Sequence, residues 1–384
     1  MSADLLRWRP SFPILQRKTY LISNSLGAMP ATVPDAFAAY TDLWANEGVV
    51  AWDTWLPEVA NVAAILEEIT HAPRGSMTMS QNVTNSLAAI LSCLEFEAPR
   101  DRIVHTAGEF PTVEYLLDAQ RRVGAEVLRI GSDPLVFPHG EMLAAIDDRT
   151  CLVVLSHVLY RTAELVDVRP FVEKAHRHGA LVVLDAYQSM GAVPFDVTAL
   201  GVDFLVGGSV KWLCGGPGAG YIYVAPQIVE RLEPREAGWF SHARPFGFEP
   251  PPIVYGGGIE RFVGGTPNIP AYYQAREGYR IIREVGVEAI RANARRQTQL
   301  IHDGAKQRGY TVNSPERFER RGNHVTVDFP GAEQTKAELI RRGFVVDYRP
   351  GAGIRIAPHF YTTDEECVAV VEEIGAILGQ GALA

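Results

Sequence analysis

Between residues 77 and 224 short apolar runs alternate with stretches of helical period. The runs at 77–80, 102–106, 126–130, 151–156, 181–185, 204–207 and 221–224 predict strands. Helices are predicted at 85–94, at 111–123 with Pro111 in the first turn, and at 168–178 with Gly179 just past the end. Strands that are apolar on both faces and separated by helices predict a mostly parallel seven-stranded sheet flanked by helices. Ligands of such sheets sit beyond the carboxyl ends of the strands. Asp185, Ser156 and the Glu109–Phe110 loop fall at those ends.

The pattern changes after residue 244. Residues 245–270 are rich in Pro and Gly and predict a long loop. A helical stretch follows at 271–308, interrupted only by Gly278, Gly286 and Gly304. Strands at 324–329 and 353–357 precede a helix at 363–378, where Thr363 and Glu366 have the spacing of a capping box. The expected organisation is an α/β chain with an N-terminal segment 1–60 that is part of the small domain and of the active-site entry, a large domain 61–275 and a smaller C-terminal α/β domain 276–384.

With 384 residues, 47% of them hydrophobic and 21% charged, the chain has the composition of a soluble globular enzyme. A net charge of −9 without a compact basic cluster argues against nucleic acid as a partner. Cys93, Cys151, Cys214 and Cys367 are far apart and predict neither a metal site nor a disulfide framework, which suits a reducing compartment. Residues 1–18 lack the apolar core of a signal peptide, and no apolar run is long enough to cross a bilayer. A cytoplasmic protein with no membrane partner is the expectation.

The candidate chemistry lies in one block. The apolar run 181–184 ends on Asp185, and Lys211 stands twenty-six positions further on, flanked by glycines that lead into the strand at 221–224. A carboxylate and an amine in that order suit pyridoxal phosphate, which needs an amine to hold it and an acid to keep its ring nitrogen protonated. Each residue also has a plainer reading: Asp185 as a turn cap, Lys211 as a solvated loop lysine.

Further motifs surround this block: NSLG at 24–27, EFPT at 109–112, SHVLYRT at 156–162, GWFSH at 238–242, GGTPN at 264–268 and DYRPGAGIRIAPHFY at 347–361. In this order they resemble fold-type I pyridoxal-phosphate enzymes of the class V aminotransferase group, most of all kynureninases, although GGTPN is closer to cysteine desulfurases. The resemblance covers nearly the whole chain. It implies that Lys211 holds the cofactor and carries the Cα proton, with Asp185 on the pyridine nitrogen and Gln188 on the phenolic oxygen. It also implies Phe110 on the ring face, Val83 and Thr84 at the phosphate, and further cofactor contacts from Ser156 and Ser209. Trp239 and Thr266 resemble residues that reach the phosphate of a second subunit, which implies a homodimer with shared sites. Arg355 would hold the substrate carboxylate, with Asn24 and Ser25 nearby. Phe110 and Trp239 read equally as core and loop anchors, and Arg355, between Ile354 and Ile356, as the solvent-facing residue of a strand.

Departures from the kynureninase pattern limit what carries over. Val210 stands where a tyrosine acid is expected, Gln188 replaces a histidine, Val113 an acid and Thr266 an asparagine. Residues 40–60 contain no histidine for an aryl pocket but hold Trp44, Trp52 and Trp55, which suit either an apolar substrate or subunit packing. Desulfurase chemistry lacks its thiol, since 347–353 contains no cysteine. The expected activity is cleavage at Cβ of an L-amino acid, hydrolytic or by elimination, with kynurenine itself disfavoured. Transamination or epimerisation is the alternative, and a non-catalytic cofactor-binding protein a third reading that Lys211 and Asp185 argue against.

Overall fold

The computed structural model describes residues 5–381. Its main sheet has seven strands in the order Met77–Ser80, Gly220–Val224, Phe204–Gly208, Leu181–Asp185, Thr150–Ser156, Arg102–Thr106, Glu126–Ile130. Gly220–Val224 runs antiparallel to both neighbours, and every other pairing is parallel. The central runs Leu152–Leu155 and Val182–Leu184 are wholly buried, because helices cover both faces. Each such Val or Leu contributes about 1.5–3 kcal/mol on leaving water, which pins the register of the strands that carry Ser156 and Asp185.

Helix Val83–Ser92 starts where Asn82 accepts a bond from the Asn85 amide at 3.0 Å, two residues earlier than the apolar pattern indicated. The helix expected at 111–123 is α-helical over Pro111–Ala119 and then tightens to a 3₁₀ turn, Gln120–Val123. The helical stretch 271–308 is two helices, Ile269–Val285 and Val287–Gln307, broken at Gly286 whose φ of +83° only glycine adopts freely. The 363–378 helix runs over Asp364–Gly381, and its capping box forms: the Thr363 amide donates to Glu366 Oε2 at 2.8 Å and the Glu366 amide to Thr363 Oγ1 at 3.2 Å.

Two further helices, Val33–Glu47 and Trp52–Thr70, occupy the tryptophan-rich region. Trp55, Val59, Val62, Ala63 and Leu66 make a buried stripe at helical spacing, against helix Ile269–Val285. A second, antiparallel sheet has the order Asp347–Arg349, Gly353–Ile356, Val325–Asp328, Thr311–Val312 and its own core, which includes Val327, Ile354, Leu339 and Ile374. The N-terminal segment reaches across to this region: Thr19–Tyr20 pairs in parallel with Phe344–Val345, and Ile22 bridges Ala357. That pairing delivers residues 24–27 to the end of the main sheet. Among the described residues no helix is long and apolar enough to cross a membrane.

Candidate active site

Adjacent strands bring the first two site residues together. Ser156 and Asp185 are register partners at the ends of their strands, and the Ser156–His157 step is held by the His157 amide on the Asp185 carbonyl at 3.0 Å. The chain leaves the Phe204–Gly208 strand into a tight loop that presents Lys211. The loop is clamped from the N-terminal segment: the Gly27 amide donates to the Val210 carbonyl at 2.7 Å. A Cβ on Gly27 would stand 2.2 Å from the Lys211 carbonyl oxygen, so this close approach requires glycine.

Lys211 Nζ lies 4.1 Å from the centre of the Tyr187 ring and 5.7 Å from that of Phe110. These residues line one cavity together with Asp185, Gln188, Ser156 and Tyr160, and the Asn82–Thr84 helix start closes its far side. Lys211 keeps some surface exposure because the cavity opens onto its amine, while the surroundings of the amine are apolar. That burial lowers its pKa to about 7; Asp185 opposes the shift, and Arg355 and Arg349 add to it. Burial likewise raises Asp185, against the pull of the Tyr187 amide, which donates to Oδ1 at 2.8 Å, and of Lys211. The other Asp185 oxygen has no hydrogen-bond partner among the described residues.

A second buried carboxylate stands behind the first. Glu109 accepts from Thr106 Oγ1 at 2.9 Å, from Ser156 Oγ at 2.6 Å and from the Ser156 amide at 3.3 Å. Burial pushes it up to about 7, and the charge of Asp185 adds to the rise. Because the folded value lies above the ordinary 4.5, stability from this group is present below pH 4.5 and is lost as pH rises towards 7. The loss is on the order of 3 kcal/mol. Glu109→Gln is therefore expected to flatten the pH dependence of urea unfolding between pH 5 and 8 and to be the more stable protein at pH 8. Parallel pH profiles for the two proteins would contradict this role.

The remaining expected site residues divide. Phe110, 43% exposed, opens on the cavity and meets Tyr160 edge-on at 5.1 Å. Gln188 spends one amide hydrogen on the Asn24 carbonyl and accepts from Trp212 Nε1, each at 2.9 Å, which leaves one N–H free. The side-chain amide of Asn24 is wholly buried with neither its nitrogen nor its oxygen partnered among the described residues, whereas Ser25 is only half-buried. Ser209 does not line the cavity. Its hydroxyl donates to the Ala219 carbonyl at 2.7 Å and meets the Tyr279 hydroxyl.

Arg355 is 1% exposed rather than solvent-facing. Its Nε donates to Asp347 Oδ1 at 2.8 Å, its Nη2 to Asp347 Oδ2, and its Nη1 to the Tyr160 carbonyl at 2.7 Å. Trp239 and Thr266 lie outside this cavity. They bond to each other at 3.3 Å, and Trp239, 38% exposed, stacks on Phe248. Trp44, Trp52 and Trp55 line a separate surface groove beside Thr266. Sequence reasoning passed over Asp347, Tyr160 and Tyr187, and placed Glu109 at the strand ends without a role. The available signals were modest: Glu109 directly precedes Phe110, and Asp347 precedes Arg355 by eight positions.

Residues 54–347 match the family model for class V aminotransferases. The chain belongs to that family. It is 30% identical to a kynureninase of Pseudomonas fluorescens, over 96% of this chain and 91% of the relative. It is 29% identical to the uncharacterized aminotransferase YcbU of Bacillus subtilis, over 96% and 97% respectively. Among solved structures, the apo cysteine desulfurase of Thermococcus onnurineus superposes with a TM-score of 0.86 at 20% identity, covering 97% of this chain and 98% of that one. The cystine C–S lyase C-DES, bound to its product cysteine persulfide, superposes at 0.84 and 22% identity, covering 94% and 98%. These likenesses establish the fold shared by fold-type I enzymes, and the family establishes a pyridoxal-phosphate-dependent enzyme. The cavity fits that cofactor on its own chemistry. It offers a desolvated amine, a buried carboxylate with one unused oxygen, an exposed aromatic face and a capped helix start for a phosphate.

Proposed function

We propose that this enzyme takes an L-amino acid into the Lys211 cavity and breaks the bond beyond Cβ, releasing alanine. Pyridoxal phosphate, when bound, supplies an electron sink for charge developing at Cα. Lys211 would hold it and move the Cα proton, and Asp185 would pair with the ring nitrogen. Phe110 would cover the ring, Gln188 would offer its free N–H, and Ser156 would add a contact. The Val83–Thr84 amides and the Thr84 hydroxyl would take the phosphate at the helix start. Asn24, with its unpartnered amide, and the remaining Nη hydrogens of Arg355 would orient the substrate carboxylate, with Ser25 beside them. Trp239 and Thr266 would serve the cavity of a second copy in a cytoplasmic homodimer.

The observation that carries the reading is Tyr160. Val210 cannot donate a proton, yet the Tyr160 phenol lines the same cavity and has no hydrogen-bond partner among the described residues. Burial raises its pKa, so it stays protonated at neutral pH. When the Cβ–Cγ bond breaks, the bonding pair stays on Cβ and a proton from Tyr160 completes alanine. The substrate carries a carbonyl at Cγ, and water adding to that carbon lets the side chain depart as a carboxylic acid. Placed acids contribute about 10²–10⁴ in rate, and Tyr160→Phe is expected to slow alanine release by about that factor while amino-acid binding persists.

A second reading, transamination, is favoured by the Bacillus subtilis relative. The two differ in product. Incubating the loaded enzyme with L-amino acids should yield alanine, or pyruvate if elimination prevails, together with the freed side chain. Transfer of the amino group to an added keto acid without loss of any side chain would replace the first reading by the second.

A further inference from the structure

Two guanidinium groups, Arg355 and Arg349, hold the Asp347 carboxylate behind the Tyr160 loop, and a third, Arg161, lies on the ring of Tyr160, which lines the Lys211 cavity. Asp347, Arg355 and Thr326 are cross-strand partners in the smaller sheet, which places their side chains on one face. That face rests on the loop after the Thr150–Ser156 strand: Arg355 Nη1 donates to the Tyr160 carbonyl at 2.7 Å and Thr326 Oγ1 to the Arg161 carbonyl at 2.6 Å. Asp347 accepts from Arg355 and also pairs with Arg349 Nη2 at 3.1 Å. Arg161 lies over the Tyr160 ring at 5.0 Å, and its guanidinium has no hydrogen-bond acceptor or ion pair among the described residues. Glu114, which also acts on the Tyr160 phenol, is committed to Arg129 at 2.6 Å.

Arg161, which is half-buried, differs from Arg291 and Arg321, which also lack a carboxylate. Arg291 and Arg321 donate to backbone carbonyls and side-chain oxygens. Among the described residues Arg161 has no acceptor. The field of this cluster reaches the reacting amine, since Arg355 and Arg349 both act on Lys211. Among the described residues Asp347 is the one carboxylate paired within the group Arg355, Arg349 and Arg161, so a substrate α-carboxylate would neutralise only one of the two charges left over.

We infer that Arg161 and Arg349 form a second anion subsite and that the substrate is an L-amino acid with an acidic group on its side chain. This rests on the reading of the cavity as an amino-acid site. Guanidinium forks suit a carboxylate, and a half-desolvated pair gains more from such an anion than from its amide isostere.

Titration of the cofactor absorbance in the loaded enzyme, at low salt, would compare L-aspartate with L-asparagine and L-glutamate with L-glutamine. The acids are expected to bind at least about tenfold more tightly than the amides. Arg161→Gln is expected to remove most of that preference and Arg161→Lys to retain part of it, which separates lost charge from lost folding. Equal affinity for acid and amide overturns the subsite, as does a preference unchanged in both Arg161→Gln and Arg349→Gln. Acids that bind tightly but only pass their amino group to an added keto acid, with no side chain lost, leave the subsite standing and overturn the cleavage reading alone. No response to any amino acid overturns the amino-acid reading and the subsite with it.

Discussion

Alanine in place of Lys211 is expected to reduce turnover of any amino acid by at least about 10³-fold, since it removes both the covalent anchor and the group that moves the Cα proton. The same change is expected to leave the fold intact. Burial holds the Lys211 pKa at about 7, below the ordinary 10.5, so the charged amine disfavours the folded state. By linkage, stability attributable to Lys211 rises as pH increases from about 7 towards 10.5, and below that window its burial is a cost. The Lys211→Ala apoprotein should therefore be at least as stable as the parent at pH 7. The check is a thermal melt of both apoproteins beside a turnover assay of both loaded proteins. A variant that melts far below the parent would mean that Lys211 is structural, and turnover within a few-fold of the parent would remove it from the chemistry.

The second large effect concerns Arg355. Arg355→Met leaves the buried Asp347 carboxylate with only Arg349 as a partner. Breaking a buried ion pair from one side costs about 3–5 kcal/mol. The lower end applies here, because Arg349 still offsets part of the charge. The double variant Asp347→Leu, Arg355→Met removes both charges, and apolar replacement of a buried pair is often close to neutral. It should therefore recover more than about 1 kcal/mol of the loss summed over the single variants. Urea unfolding of the parent, both single variants and the double variant closes the cycle. Additive effects would show that Asp347 and Arg355 do not depend on one another.

The main sheet was legible because its strands are short, buried on both faces and bounded by helices, so apolar runs such as 181–185 mark them without tertiary information. Helices Val33–Glu47 and Trp52–Thr70 were missed for the opposite reason. Their tryptophans suit an apolar substrate or subunit packing equally well in sequence, while the stripe through Trp55, Val59, Val62 and Leu66 is a packing face for a helix more than two hundred residues later. Trp52 and Trp55 meet edge-on at 5.2 Å, and Tyr40 packs on Trp55 at 5.2 Å, outside the Lys211 cavity.

Within the site, Asp185 and Lys211 were readable from their order on a strand end and a glycine-flanked loop. The fate of Ser209 was not, because it depends on Tyr279, seventy positions away. The same holds for Arg355: only the hairpin register that sets Asp347 opposite it shows that the guanidinium is already held by a carboxylate. The unpartnered Arg161 is likewise invisible in SHVLYRT, since a missing acceptor is a property of the folded neighbourhood.

The central claim is that Lys211 anchors pyridoxal phosphate in this cavity. Borohydride reduction of the loaded enzyme fixes the covalently bound cofactor, and digestion with mass mapping locates it. The expected result is the cofactor mass on the peptide that contains Lys211, with the label absent from Lys211→Ala. Label on Lys18, Lys174, Lys306 or Lys336 instead, or no covalent label at all, would contradict the account.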